Sequence, residues 1–207
     1  MFGPCIEQGS ELPNGDKRKK FKYRVVFGGD NVIDPSWEAA VFQNLGSSQS
    51  SMSAGKFLDY YSCVDGNSGE HSDAEQAYVQ ALLKGPEAWV FIPPEGRPEG
   101  WNDGGFRTPV VRLLKALYGH TGSGGFWEEH CNQRLPEAGF KPIEAWPSCC
   151  CHEKLKIMLS VPVDDFKLAG PKQSLKAGWD LVRNTFRWRT QQRCSSIWGV
   201  STNGLKA

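Results

Sequence analysis

The sequence predicts an α+β protein in which an antiparallel sheet packs against helices, and three observations carry that expectation. Short runs such as Trp89-Val90-Phe91-Ile92 have the apolar, β-branched and aromatic character of strands. Apolar residues at three- and four-residue spacing mark helices near 126–138 and 172–186. Between them, Met158-Leu159-Ser160-Val161-Pro162-Val163-Asp164-Asp165-Phe166-Lys167-Leu168 reads as two short buried strands, with an Asp pair at or beside the turn of a hairpin.

Composition bounds what the chain can be. With 207 residues it can build one full core or two small subdomains. The 24 Lys and Arg nearly balance the 23 Asp and Glu, so a polyanion footprint has to be local rather than global. No apolar run approaches the roughly 20 residues that span a bilayer, so no membrane partner is expected. The start, Met1-Phe2-Gly3-Pro4-Cys5, lacks a basic region followed by an apolar core. An intracellular protein, cytoplasmic or nuclear and not secreted, is expected, with its seven cysteines as thiols.

In chain order, residues 1–16 are rich in Gly, Pro, Asn and Glu and read as a loose segment. The basic cluster Lys17-Arg18-Lys19-Lys20 runs into Phe21-Lys22-Tyr23-Arg24-Val25-Val26-Phe27, whose alternation predicts a strand with one cationic face. That face either presents Lys22 and Arg24 to phosphates or is an ordinary solvated face, and the residues serve both readings equally. Gly28-Gly29-Asp30-Asn31 is a turn, and Ser36 reads as the N-cap of a short helix through Ala39, Ala40, Val41 and Phe42. Met52, Phe57, Leu58, Tyr60 and Tyr61 predict a second helix ending near Val64-Asp65-Gly66, with its aromatic residues in the core. Gly66-Asn67-Ser68-Gly69 reads as a loop, and the stretch from Ser72 to Leu83 as a helix with Asp73 at its start, where an N-cap is the plainer local role.

Trp89 to Ile92 is a strand stopped by Pro93-Pro94, followed by an exposed loop to Phe106. Val110 to Gly119 is ambiguous between strand and helix. Gly122-Ser123-Gly124-Gly125 breaks that pattern and fits neither a phosphate-binding loop nor a dinucleotide fingerprint. Phe126, Trp127, His130, Leu135 and Ala138 then share a helix face that ends at Gly139. Consecutive strand residues point to opposite faces, so Cys149-Cys150-Cys151-His152 reads as core strand rather than a zinc site. The four histidines lie near no nucleophile motif, and the absence of a Gly-x-Ser-x-Gly elbow removes a Ser-His-Asp hydrolase from consideration. Leu175, Trp179, Leu181, Val182 and Phe186 fit the last helix, before a polar tail at 189–207.

Two adjacent carboxylates in apolar surroundings repel unless a cation compensates, and hard divalent cations prefer such oxygens. Asp164 and Asp165 are therefore a candidate phosphoryl-transfer site, although on this stretch alone a solvated Asp-Asp turn is the plainer reading.

The order of parts is more specific than any one of them. Phe21-Lys22-Tyr23-Arg24-Val25-Val26, the stretch from Asp73 to Gly85, Val90 to Gly96 with its Pro93-Pro94 step, Leu114-Lys115-Ala116-Leu117-Tyr118-Gly119, Trp127, Gly139-Phe140 and Val163-Asp164-Asp165 occur in the order of a reverse transcriptase palm. Over roughly residues 20–188 the chain resembles the reverse transcriptase domain of copia-type long-terminal-repeat retrotransposons. The resemblance implies a fingers and palm domain at 17–188, with the thumb missing or partial, and RNA-directed DNA synthesis on a primer-template from dNTPs. It implies two Mg2+ ions, replaceable by Mn2+, held by Asp73, Asp164 and Asp165. Tyr78 matches the aromatic residue under the incoming sugar, Lys22 and Arg24 match triphosphate contacts, and Tyr118 and Gly119 match the turn bordering the nucleotide.

Two departures stand out. Pro162 replaces a usual aromatic residue, and Gly122 replaces a polar Gln after the Tyr-Gly turn. No protease, integrase or RNase H region is recognisable, so the chain is expected to be a polyprotein fragment or the reading frame of a decayed element. A catalytically inactive remnant that at most binds nucleic acid is the alternative. An unrelated Mg2+-dependent phosphotransferase would explain the Asp pair but not the ordered motifs.

Overall fold

A computed structural model describes residues 3, 5–13, 15–16, 18–29, 32–34, 36–40, 51–101, 105 and 107–188. At the N-terminal end, β1 (Cys5–Gln8) pairs antiparallel with β2 (Lys20–Tyr23), so part of the segment read as loose is a strand. The main chain of Lys22 bonds within this ladder, opposite Ile6. The expected strand through Phe27 is shorter than its alternation suggested: the ladder ends at Tyr23, and Phe27 donates instead to the Tyr118 carbonyl at 2.7 Å.

The helix expected to start at Ser36 is replaced by a turn over its described residues. Asp34 Oδ1 accepts from the Ser36 and Glu38 amides at 2.8 and 3.1 Å, and a bridge joins Ile33 to Ala39. An upstream Asx turn captured the amides that an N-cap at Ser36 would have released into a helix. Val41 and Phe42, the rest of that expectation, lie outside the described residues, as do Lys17 and the tail at 189–207.

The next helix, α1 (Met52–Ser62), forms where its pattern predicts, and Ser51 caps it by accepting from the Ala54 amide at 3.1 Å. Its inward residues are Ala54 and Leu58, not the aromatic ones; Tyr60 is 69% exposed and Met52 77%. Phe57 stacks on Tyr61 and packs beside Trp146 at 5.1 Å, forming an outer aromatic cluster.

The largest departure from expectation is at Asn67–Asp73. Read as a loop running into a helix, this segment is strand β3, and α2 (Ala77–Gln80) is only one turn long. The residues of β3 have poor strand propensity, but all seven pair in antiparallel register with a single later strand. Tertiary pairing overrides the local preference. Then β4 (Trp89–Phe91) pairs with β5 (Val110–Arg112), which resolves the ambiguous segment as strand at its start. Leu82 bridges Lys115, and the Ala116 amide donates to the Ala81 carbonyl at 3.1 Å, tying the two flanking segments together.

Helix α3 (Ser123–Arg134) continues through a 3-10 turn at Pro136–Ala138 to Gly139, whose φ of 86° is the left-handed cap expected of glycine. It is followed by β6 (Lys141–Pro142), β7 (Cys149–His152), β8 (Ile157–Ser160), β9 (Asp165–Pro171) and α4 (Lys172–Thr185). The five-stranded antiparallel sheet has the order β3-β9-β8-β7-β6, giving an α+β architecture with packed helices.

Alternation along β9 assigns the helices to faces. Phe166 meets Trp127 of α3, and Leu168 lies against α4 at Gly178, whereas Lys167 points the other way and pairs with Asp59 of α1. The α3–α4 face holds the larger core, built from Trp127, Phe140, Ile157, Leu159, Phe166, Leu168 and Trp179 among others. A second cluster of Phe27, Val90, Ile92, Val111 and Leu113 sits under the β4–β5 hairpin. Cys149 and Cys150 are both buried, one on each face, and among the described side chains Cys63, Cys131, Cys149, Cys150 and Cys151 are free thiols. No described helix is long and apolar enough to cross a membrane.

Candidate metal and nucleotide site

The hairpin of β8 and β9 turns through Val161–Asp164, so the Asp pair sits where its apolar flanks predict: Asp164 in the turn and Asp165 as the first residue of β9. Because β3 runs alongside β9, Asp73 lies directly opposite Asp165 in the ladder. The Ala74 amide donates to the Asp164 carbonyl at 2.9 Å, extending the pairing by one bond and bringing the turn against the end of β3. Strand register thus places three acidic residues from two distant segments of sequence in one neighbourhood. Asp73 does not serve as an N-cap: Gln76 occupies that position of α2, with no side-chain capping bond.

The Asp73 and Asp165 side chains stand close enough for a protonated Asp165 to donate to Asp73, a bond that two ionised carboxylates cannot make. That bond, then partial burial and the negative charges of Asp73 and Asp164, raise Asp165 above the ordinary carboxyl value, with nearby His71 opposing. His71 lies two residues before Asp73 on the same strand face. Its proximity was hidden from sequence reasoning because 66–69 reads as a loop, and the two-residue period linking positions 71 and 73 appears only once the segment is a strand.

An aromatic wall stands beside Asp164. The Tyr78 and Tyr118 ring centroids are 4.6 Å apart, and the Arg24 guanidinium lies 5.9 Å from the Tyr118 ring. Burial, followed by the charge of Asp164, raises the Tyr78 hydroxyl above its ordinary value. The same two causes and the neighbouring Tyr78 push Tyr118 up to about 12, while Arg24 pulls it down. The Leu82–Lys115 bridge produces this pairing by running the two segments antiparallel towards Tyr78 and Tyr118. Lys115 was not singled out by sequence reasoning; its ammonium donates to the Gln80 carbonyl at 3.1 Å, and burial lowers its pKa.

Gly119 has φ of 88°, and a Cβ there would run into the Phe27 carbonyl. It is therefore a close backbone approach that lets the segment after β2, with Arg24, lie across the Tyr118 turn. Of the residues proposed from sequence, Asp73, Asp164, Asp165, Tyr78, Tyr118, Gly119 and Arg24 fall in one neighbourhood; the Lys22 side chain is outside the described atoms.

Pro162 lies in the turn, outside the β8–β9 ladder, so its missing N–H breaks no strand bond, and its carbonyl accepts from the Asp165 amide at 3.4 Å. Gly122 is the N-cap of α3, with its amide donating to His120 Nδ1 at 3.1 Å. Among the described residues no three His, Cys, Asp or Glu side chains converge as a ready-made metal cage. The donor chemistry nonetheless fits a hard cation: the three acidic groups offer oxygen alone, and their crowding raises Asp165 above the ordinary carboxyl value, a strain that a bound cation would relieve. A groove of about 430 Å³ between α3 and residues 142–150 is lined by none of these site residues. No family model, curated protein or solved structure matches the chain.

Proposed function

We propose that the chain is an RNA-directed DNA polymerase domain of the copia-type retrotransposon kind, adding nucleotides to a primer 3′-hydroxyl with two Mg2+ ions. The carrying observation is the register that sets Asp73 opposite Asp165 and bonds the Asp164 main chain to Ala74. In this reading the five-stranded sheet with α3 and α4 is the palm, and the β1–β2 and β4–β5 hairpins belong to the fingers.

Asp73 and Asp164 would hold the ions, with Asp165 completing the acidic cluster. When bound, the metals lower the pKa of the primer hydroxyl and neutralise the triphosphate and the leaving pyrophosphate. Tyr78 packs under the incoming sugar, so a 2′-hydroxyl meets its ring. Tyr118 and Gly119 border the base. Arg24, held over the Tyr118 ring, reaches the triphosphate with Lys22. The high pKa of Tyr118 keeps its hydroxyl neutral and able to donate at working pH.

The test is extension of a primed template by purified protein with Mg2+ and dNTPs, with Asp164→Asn abolishing it. If nothing is extended but salt-sensitive binding to primer-template persists, the chain is an inactive remnant. The departure at Pro162 motivates that second reading, yet its position outside the ladder weighs against damage there. Pro162→Tyr separates the two: gain of activity on restoring the aromatic residue identifies an inactivating change.

A further inference from the structure

The turn that carries Asp164 has an unusual support. Val163 sits at φ of 66°, a left-handed conformation that a β-branched residue rarely adopts. Its carbonyl accepts a hydrogen bond from Trp127 Nε1, on α3. Trp127 is 2% exposed and packed among His130, Phe166 and Phe186. The next carbonyl, that of Asp164, accepts from Ala74 at 2.9 Å. Two successive carbonyls of one strained turn are thus fixed, one by a core indole and one by the end of β3. A small cleft of about 20 Å³ is bordered by Trp127, Cys131, Cys150, Val161 and Val163.

We propose that Trp127 is a positioning residue: its indole N–H holds Val163 in the left-handed conformation and so delivers the Asp164 carboxylate to the face of Asp73. Trp127 touches no reacting atom. The hold on the turn stands on the geometry; its consequence for cation binding rests on the polymerase reading.

The two are separated by experiments on the full chain using Trp127→Phe, which keeps an aromatic ring and deletes the donor, and Val163→Gly, which removes the penalty of the left-handed conformation. Mn2+ binding, measured by electron paramagnetic resonance, is expected to weaken about tenfold in Trp127→Phe, the size of loss typical when a group orienting a metal ligand is removed. Val163→Gly added to it is expected to recover most of that loss, which a purely packing role would not allow. Urea midpoints of the two single variants and the double variant, followed by circular dichroism, are expected to be non-additive.

Unchanged Mn2+ affinity in Trp127→Phe, or a loss that Val163→Gly leaves in place in a folded protein, overturns the proposal. If the wild type binds no Mn2+, the polymerase reading fails, and the urea cycle alone decides: additive midpoints overturn the hold, and coupled ones support it.

Discussion

Replacing Asp165 by Asn should make the protein more stable at neutral pH. Asp165 and Asp73 are directly opposed on β9 and β3, and both are exposed. Two unit charges about 5 Å apart, the Cβ spacing of opposed strand residues, repel by about 0.8 kcal/mol in water, near the top of the range measured for cross-strand pairs. The amide introduced by Asp165→Asn would remove that repulsion and donate to Asp73. For a chain of this length the gain corresponds to a rise in Tm of about 2–3 °C.

The sign with pH follows from the raised pKa. The folded protein binds the Asp165 proton more tightly than the unfolded chain does, so stability is lost as pH rises from the ordinary Asp value of 3.8 through the folded-state value. Thermal unfolding across pH should therefore show Asp165→Asn well above wild type at pH 7.5, with the gap closing below pH 4. Salt at about 1 M, where the Debye length is roughly 3 Å, should narrow the gap at pH 7.5. A variant no more stable than wild type at pH 7.5, or a gap that persists unchanged in acid, would refute the assignment of an uncompensated carboxylate pair. A candidate site that weakens the bare fold is the expected signature of groups arranged for a cation rather than for stability.

Two further outcomes check the surroundings of the pair. Alkaline difference spectroscopy should resolve a tyrosine ionising near 12, lost in Tyr118→Phe and moved downward in Asp164→Asn, because Asp164 is the largest charge acting on it. Gly119→Ala should destabilise the protein by about 1–3 kcal/mol in urea unfolding, because its φ of 88° penalises any Cβ and the Phe27 carbonyl occupies the space beside it.

Much of this architecture was legible in residues 123–186, where pattern and packing agree. α3, α4 and the hairpin around Asp164 lie where their apolar spacing puts them, because each element buries its own face in the same core. Local rules failed where partners come from afar. Asn67–Asp73 has no strand character of its own and is a strand because β9 supplies every bond it needs. Ser36 was the better local N-cap, but Asp34 reached its amide first. The aromatic residues of α1 read as core because hydrophobicity does not say which helix face meets the sheet; Ala54 and Leu58 do.

Residue type and short-range geometry were enough to specify the acidic turn, the Tyr-Gly bend and the order of the parts around them. That Asp73 stands opposite Asp165, that Tyr78 packs on Tyr118, and that an indole on α3 holds the turn between Pro162 and Asp164 emerged only with the folded chain. Those three facts depend on strand register and helix docking, which are set by the whole core at once and leave no trace in the local sequence.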